Sequence, residues 1–214
     1  MDTSKTFWPA DPVERAAAAA AAGLHRPVAA GLPVALAELV AADPDRRVRA
    51  AALGALARLP DPPAEAWRTA TADTDPSVRR RAADLAPAFA GADLSPLIAL
   101  LADPEGGVAE AAAWALGELG DPAVAAGAVE PLVQAAGSHG DPLVREAAVA
   151  ALGSLGDPAG REAVLAACRD KPAIRRRAVL ALAAFEGPEV DAALQAALDD
   201  KDWQTRQAAE DLLG

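Results

Sequence analysis

Tyrosine is absent from the 214 residues, and phenylalanine, cysteine, methionine and histidine number only three, one, one and two. With aromatics at 3%, a core rich in β-branched and aromatic strands is excluded, and the 52% of apolar residues must be mostly alanine, leucine and valine. Alanine and leucine are strong helix formers, so the fold class is all-α. A single cysteine, Cys168, excludes an internal disulfide framework and fits a reducing compartment. It reads as a small buried residue on a helix. No stretch approaches the ~20 strongly apolar residues of a membrane span. The alanine run at 16–22 is too weakly hydrophobic for a signal-peptide core, and only Lys5 offers charge near the start. The expectation is a cytoplasmic protein with no membrane partner. A basic surplus is also missing: net charge is −11, which argues against a nucleic-acid partner.

Eighteen prolines and sixteen glycines are present, and they fall at regular places between alanine-rich segments. They act as punctuation. Aligning on an aliphatic residue followed by arginine gives Val48-Arg49, Val78-Arg79, Val144-Arg145 and Ile174-Arg175. Val108 shares the register with Ala109 in the arginine slot, and Thr205-Arg206 closes the series. The intervals are 30, 30, 36, 30 and 31 residues, and Val13 offers a first, degenerate copy. Four residues after each anchor stands alanine (52, 82, 112, 148, 178 and 209). Seven, eight and eleven residues after it, apolar residues recur, as in Ala55-Leu56 with Leu59. These offsets draw one stripe on a helix.

The text GELGDPA at 117–123 and its counterpart GSLGDPA at 153–159 join a helix stop to a helix start. Gly120 and Gly156 suit the left-handed cap, while Asp121-Pro122 and Asp157-Pro158 offer an N-cap acceptor and a first-turn proline. Each unit then holds two helices. First helices are expected near 32–42, 63–72, 94–102, 122–136, 158–169 and 188–199, with Pro131 kinking the fourth ahead of a loop at 137–140. Second helices are expected near 12–22, 46–59, 76–89, 107–119, 142–155, 173–186 and 202–213. Residues 1–31 form an N-terminal segment with a capping helix, and 32–214 form the array.

The phrases DPDRRVRAAALGALARL (43–59), DPSVRRRAADLAPAF (75–89), DPLVREAAVAALGSLGDP (141–158) and KPAIRRRAVLALAAF (171–185) resemble the HEAT-repeat family, in particular its short bacterial, phycobilisome-lyase-like branch. The resemblance implies a right-handed α-solenoid of six to seven helical hairpins whose second helices line a concave face. It also implies a ladder in which loop aspartates (Asp43, Asp73, Asp200) meet arginines of adjacent units (Arg49, Arg79, Arg145, Arg175, Arg206). Such a ladder would offset cations placed where the helix macrodipole disfavours them. Activity is not implied, because this architecture serves scaffolds, lyases, hydroxylases and glycosylases.

At about 100° per residue, offsets two and six from the anchor point away from the core stripe. Offset two carries Arg80, Glu110, Glu146 and Arg176; offset six carries Asp84, Trp114 and Leu180. Trp114 should therefore project outward, flanked by Glu110 and Glu146 with Arg80 and Arg176 beyond. An aromatic ringed by charges is the composition of a protein-binding hot spot. Trp67 reads as packing on a first helix, and Trp8 and Trp203 as covers for the ends of the array. His25 and His139 lie in loops without a following glutamate, so no metal site is assigned. No phosphate loop, nucleophile elbow or cofactor fingerprint appears, and no catalytic residue is assigned. The resulting expectation is a noncatalytic scaffold or regulator that binds a protein or peptide. The alternative is a small-molecule-binding or lyase-like accessory protein using the same groove. A HEAT-like DNA glycosylase built on Trp114 and Asp84 is the minor alternative, and it lacks a basic channel.

Overall fold

The computed structural model describes residues 8–24, 28–29, 31–89 and 91–214. His25 lies outside them. Among the described residues every regular element is helical, and two compact units form, 1–97 and 98–214. The first holds α1 (Pro12–Ala22), α2 (Leu32–Ala42), α3 (Arg46–Leu56), α4 (Ala64–Thr71) and α5 (Pro76–Asp84), followed by a 3₁₀ turn at Ala86–Phe89. The boundary falls within the short α6 (Ser95–Ala99). The second unit holds α7 (Gly106–Leu119), α8 (Asp121–Ala125), α9 (Val129–Ser138), α10 (Pro142–Leu155), α11 (Arg161–Ala167), α12 (Pro172–Ala181), α13 (Pro188–Ala197) and α14 (Trp203–Leu213).

The repeat stripe is the core. Val48, Val78, Val108, Val144, Ile174 and Thr205 are buried, as is every alanine four residues later. Within 98–214, second helices pack in sequence, α7 on α10, α10 on α12 and α12 on α14, while α9, α11 and α13 form a layer behind them. Within 1–97, α1 and α2 pack on α3, α3 on α5 and α4 on α5. Most second helices open with an aspartate cap: Asp45, Asp75, Asp141 and Asp202 each accept a backbone N–H from their own first turn.

Several local readings need correction. The fourth first helix is two helices, α8 and α9, because Gly127 takes φ 82° between them. Pro131 sits in the first turn of α9, where a missing N–H breaks no bond, so it does not kink anything. Gly137 and Ser138 belong to α9 and not to a loop. Gly156 takes the left-handed cap at φ 63°, ψ 14°, and Asp157 caps the next turn through Ala159 N at 2.9 Å. Gly120 instead adopts φ 64°, ψ −131°, which places Asp121 inside α8 without a side-chain cap. α5 stops at Asp84 because Pro87 has no N–H to continue it. In the N-terminal copy, Val13 is 59% exposed and Arg15 occupies the arginine slot, so the register is one residue later than the Val13 alignment.

Glycines set the spacing between second helices. A Cβ on Gly153 would stand 2.6 Å from Ala181 Cβ and 2.8 Å from its Cα, and one on Gly117 would stand 2.9 Å from Ala151 Cα. Gly153→Ala is therefore expected to destabilise by about 1–2 kcal/mol. Overpacking of about 1–3 kcal/mol outweighs the helix-propensity gain of about 1 kcal/mol. Gly137→Ala, on α9 with open space around its Cβ position, should carry the opposite sign. Paired urea titrations check both; a stabilised Gly153→Ala would contradict the tight seam.

An arginine at the head of a second helix ties loop backbone to side chain. Its Nη1 donates to a carbonyl of its own preceding loop: Arg49 to Asp43 O (2.9 Å), Arg79 to Asp73 O (2.9 Å), Arg145 to His139 O (2.8 Å), Arg175 to Asp170 O (3.0 Å) and Arg206 to Asp200 O (2.7 Å). In the rungs that follow, the Nε side also forks onto a carboxylate of the next loop. Arg15 meets Asp43, Arg49 meets Asp73, Arg145 meets Asp170 and Arg175 meets Asp200, with Nε–O distances of 2.6 to 2.9 Å. The aspartate preceding an arginine thus serves that arginine through its carbonyl and the previous unit's arginine through its carboxylate.

One rung is built differently. Ala109 fills the arginine slot of α7, and His139 fills the aspartate slot of the next loop. His139 Nδ1 accepts Asp141 N at 3.1 Å, the bond that Asp43, Asp73 and Asp200 make to the residue two positions on. The loop turn is kept and the charge pair is not. The head of α7 abuts this loop, since a Cβ on Gly106 would run into the carboxylate of Asp141. Ala109→Arg combined with His139→Asp is expected to show a favourable coupling of about 1–2 kcal/mol over the single changes. A double-mutant cycle by urea unfolding measures it, and additive effects would contradict a missing rung.

Candidate functional site

Trp114 stands on α7, six residues after its anchor, and is 40% exposed. It is not sealed in the interhelix packing. One face of its ring meets the Arg177 guanidinium, reaching from α12, with Cζ 5.4 Å from the ring centroid. That geometry is a cation–π contact. Arg177 Nη2 lies 3.6 Å from Glu146 Oε1 on α10, and its Nε is buried with no hydrogen-bond partner. Beside the indole a cavity of ≈ 420 Å³ opens to solvent, walled by Ala150, Gly153, Arg177 and Ala181 and rimmed by Leu180, which is 44% exposed. Alanine and glycine at these positions leave the room that Trp114 and Leu180 border.

Of the residues singled out from sequence, the structure brings Trp114 and Leu180 to one cavity and joins Glu146 to them through Arg177. Glu110 is half-buried on α7 and does not line the cavity. Arg176 donates to Gln204 Oε1 on α14 and is likewise outside it. Arg80 and Asp84 are exposed on α5, in the 1–97 unit. Arg177 was missed. It sits three residues after its anchor, on the flank of the buried stripe, and only its long side chain carries the charge to the indole.

Residues 64–128 and 129–214 match the family model of HEAT repeats. The chain belongs to the HEAT-repeat family. No curated protein matches this HEAT chain by sequence. Its fold is similar to that of YibA from Escherichia coli, with a TM-score of 0.69 at 19% identity over 96% of this chain and 77% of that one. It is similar to an engineered protein, with a TM-score of 0.64 at 23% identity over 98% of this chain and 66% of that one. It is also similar to a designed armadillo repeat protein in complex with the peptide (KR)4, with a TM-score of 0.61 at 19% identity over 86% and 98% of the two chains.

The other tryptophans of the HEAT chain differ in role. Trp67 is buried, Trp8 is half-buried, and Trp203 is 64% exposed at the head of α14 and so does not cover that end. A larger cavity, ≈ 550 Å³, opens between α11 and α13, floored by Leu165 and Val179 and bordered by Cys168, Ala193 and Ala197. Alanine on the α13 face leaves it unfilled, a signal present in the sequence as Ala192-Ala193 and Ala196-Ala197. Burial pushes the Cys168 thiol up to about 11, and its Sγ donates to Val164 O at 3.5 Å. It stays protonated at neutral pH and is a poor nucleophile. Among the described residues, no group of three or more His, Cys, Asp or Glu is placed to hold a metal ion, and no helix is long and apolar enough to cross a membrane.

Proposed function

We propose that this HEAT chain is a noncatalytic binding module, a scaffold or regulator that seats a protein or peptide segment on its second helices around Trp114. The observation that carries the reading is the half-exposed indole at the rim of an open cavity, with Leu180 exposed across from it. An open, solvent-facing cavity suits a side chain presented on a passing backbone better than it suits an enclosed small molecule. The designed armadillo repeat protein of similar fold is in complex with a peptide, which supports the same class of ligand. A segment carrying one apolar side chain among charged ones fits the mixture of Leu180, Arg177 and Glu146.

A central indole in such a site is worth about 2 kcal/mol or more. Peptides selected from a random library against the immobilised chain are therefore expected to bind Trp114→Ala about 30-fold more weakly, at unchanged helix content. Titration calorimetry reads this directly. Equal affinity for the two chains would remove Trp114 from the site and the proposal with it.

A further inference from the structure

We infer that the indole face of Trp114 and the carboxylate of Glu146 form a subsite for the cationic side chain of a bound peptide, an arginine or lysine, and that Arg177 occupies this subsite in the free chain as a displaceable stand-in. The inference rests on the proposed function and names the chemistry of its ligand.

Three observations carry it. First, the structure already shows a guanidinium seated there, with Cζ 5.4 Å above the ring and Nη2 3.6 Å from Glu146 Oε1. An aromatic face with a carboxylate beside it is a cation receptor, and Arg177 marks where the cation sits. Second, Arg177 is held poorly. Its distance to Glu146 is longer than a hydrogen bond, and its buried Nε has no partner, which costs free energy for as long as it stays. The ladder arginines, by contrast, fork onto carboxylates at 2.6 to 3.2 Å. Third, the surroundings favour a positive ligand. Glu110 and Glu118 flank Trp114 on α7 at four residues either side, and neither makes an ion pair among the described residues. The chain as a whole carries −11. An incoming cation would release Arg177 to water and take its place, leaving the adjoining cavity by Leu180 for a neighbouring apolar side chain.

A competing internal side chain lowers apparent affinity by the fraction of time the seat is free. The test uses the peptide acetyl-Gly-Arg-Leu-Gly-amide and its citrulline counterpart, which keeps the shape and loses the charge. Calorimetry is run on the full chain, Arg177→Ala, and Arg177→Ala combined with Trp114→Ala or Glu146→Gln. The expected result is arginine-peptide binding about tenfold tighter in Arg177→Ala. The citrulline peptide should gain nothing, and either second substitution should lose the gain. An equal gain for citrulline, or weaker binding in Arg177→Ala, would overturn the inference. Because the variant could fold poorly, the unmodified chain supplies a second readout, the solvent exchange of the Arg177 Nε–H. Exchange should accelerate at saturating arginine peptide, and unchanged exchange also overturns the inference. If the citrulline peptide binds the unmodified chain in a Trp114-dependent way while the arginine peptide shows no advantage, this inference falls and the binding module stands. If no peptide depends on Trp114, both fall.

Discussion

Trp67→Ala is expected to lower the stability of the N-terminal unit by about 3–5 kcal/mol, the range for deleting a buried large aromatic ring. Trp67 is 1% exposed, and its ring stacks on Phe89 with centroids 6.0 Å apart and planes at 20°. Its Nε1 also donates to Ala82 O at 2.8 Å. That carbonyl lies in the last turn of α5, where intrahelical donors run out, and Pro87 ends any continuation. Truncation thus leaves a void and a buried acceptor without its donor. Trp67→Phe separates the two effects: most of the ring volume remains, and the orphaned carbonyl alone should cost about 1–3 kcal/mol. Repeat arrays need not unfold in one step, so hydrogen exchange resolved along the chain is the suitable measurement. Loss of protection centred on 64–89 is expected, and unchanged exchange there would refute the packing role.

Asp200→Ala should be the next most damaging change, at about 2–3 kcal/mol at neutral pH. Its carboxylate takes Arg175 Nε at 2.9 Å and Nη2 at 2.7 Å, and accepts Asp202 N at 2.8 Å. Removing it leaves Arg175 with only the carbonyl of Asp170, and partial solvation keeps the loss below the 3–5 kcal/mol of a fully buried pair. The pH dependence gives a second check. Hydrogen bonding to Arg175 holds Asp200 below the usual carboxylate range, and Arg145 does the same for Asp170. A depressed folded-state pKa contributes stability that is complete above the unfolded value of about 3.9 and is lost as pH falls through the folded value. Stability of the unmodified chain should therefore hold from neutrality to about pH 5 and decline below pH 4. Asp200→Ala should decline less steeply, so that the two chains converge in acid. Parallel decline would show that the pair carries no such linkage.

The helix pairs were legible because their signals are local or periodic. The bounds of α1 and α2 follow directly from proline-led starts, and the anchor stripe follows from spacing alone. Where the sequence misled, two local rules competed. Pro131 suggested a kink, yet Gly127, free to take positive φ, had already ended the helix and left the proline in a first turn. The site was legible only as far as Cα direction goes. Trp114 and Leu180 share offset six and do face the same cavity. Arg177 and the exposure of Trp203 depend on side-chain rotamer and on what the neighbouring helix leaves open, and neither has a period. The larger cavity by α13 is a deficit of volume, which shows in composition only as extra alanine.

The glycine seam makes length a free variable. Gly153 receives Ala181 of the following helix, as Gly117 receives Ala151 of its own. Arg145 likewise finds Asp170 ahead of it, within the same stretch of thirty residues. A tandem copy of 142–171 would present alanine to Gly153 and an aspartate to each arginine, so every junction it creates is one the chain already makes. Growth by duplication, one module at a time, needs no new chemistry here.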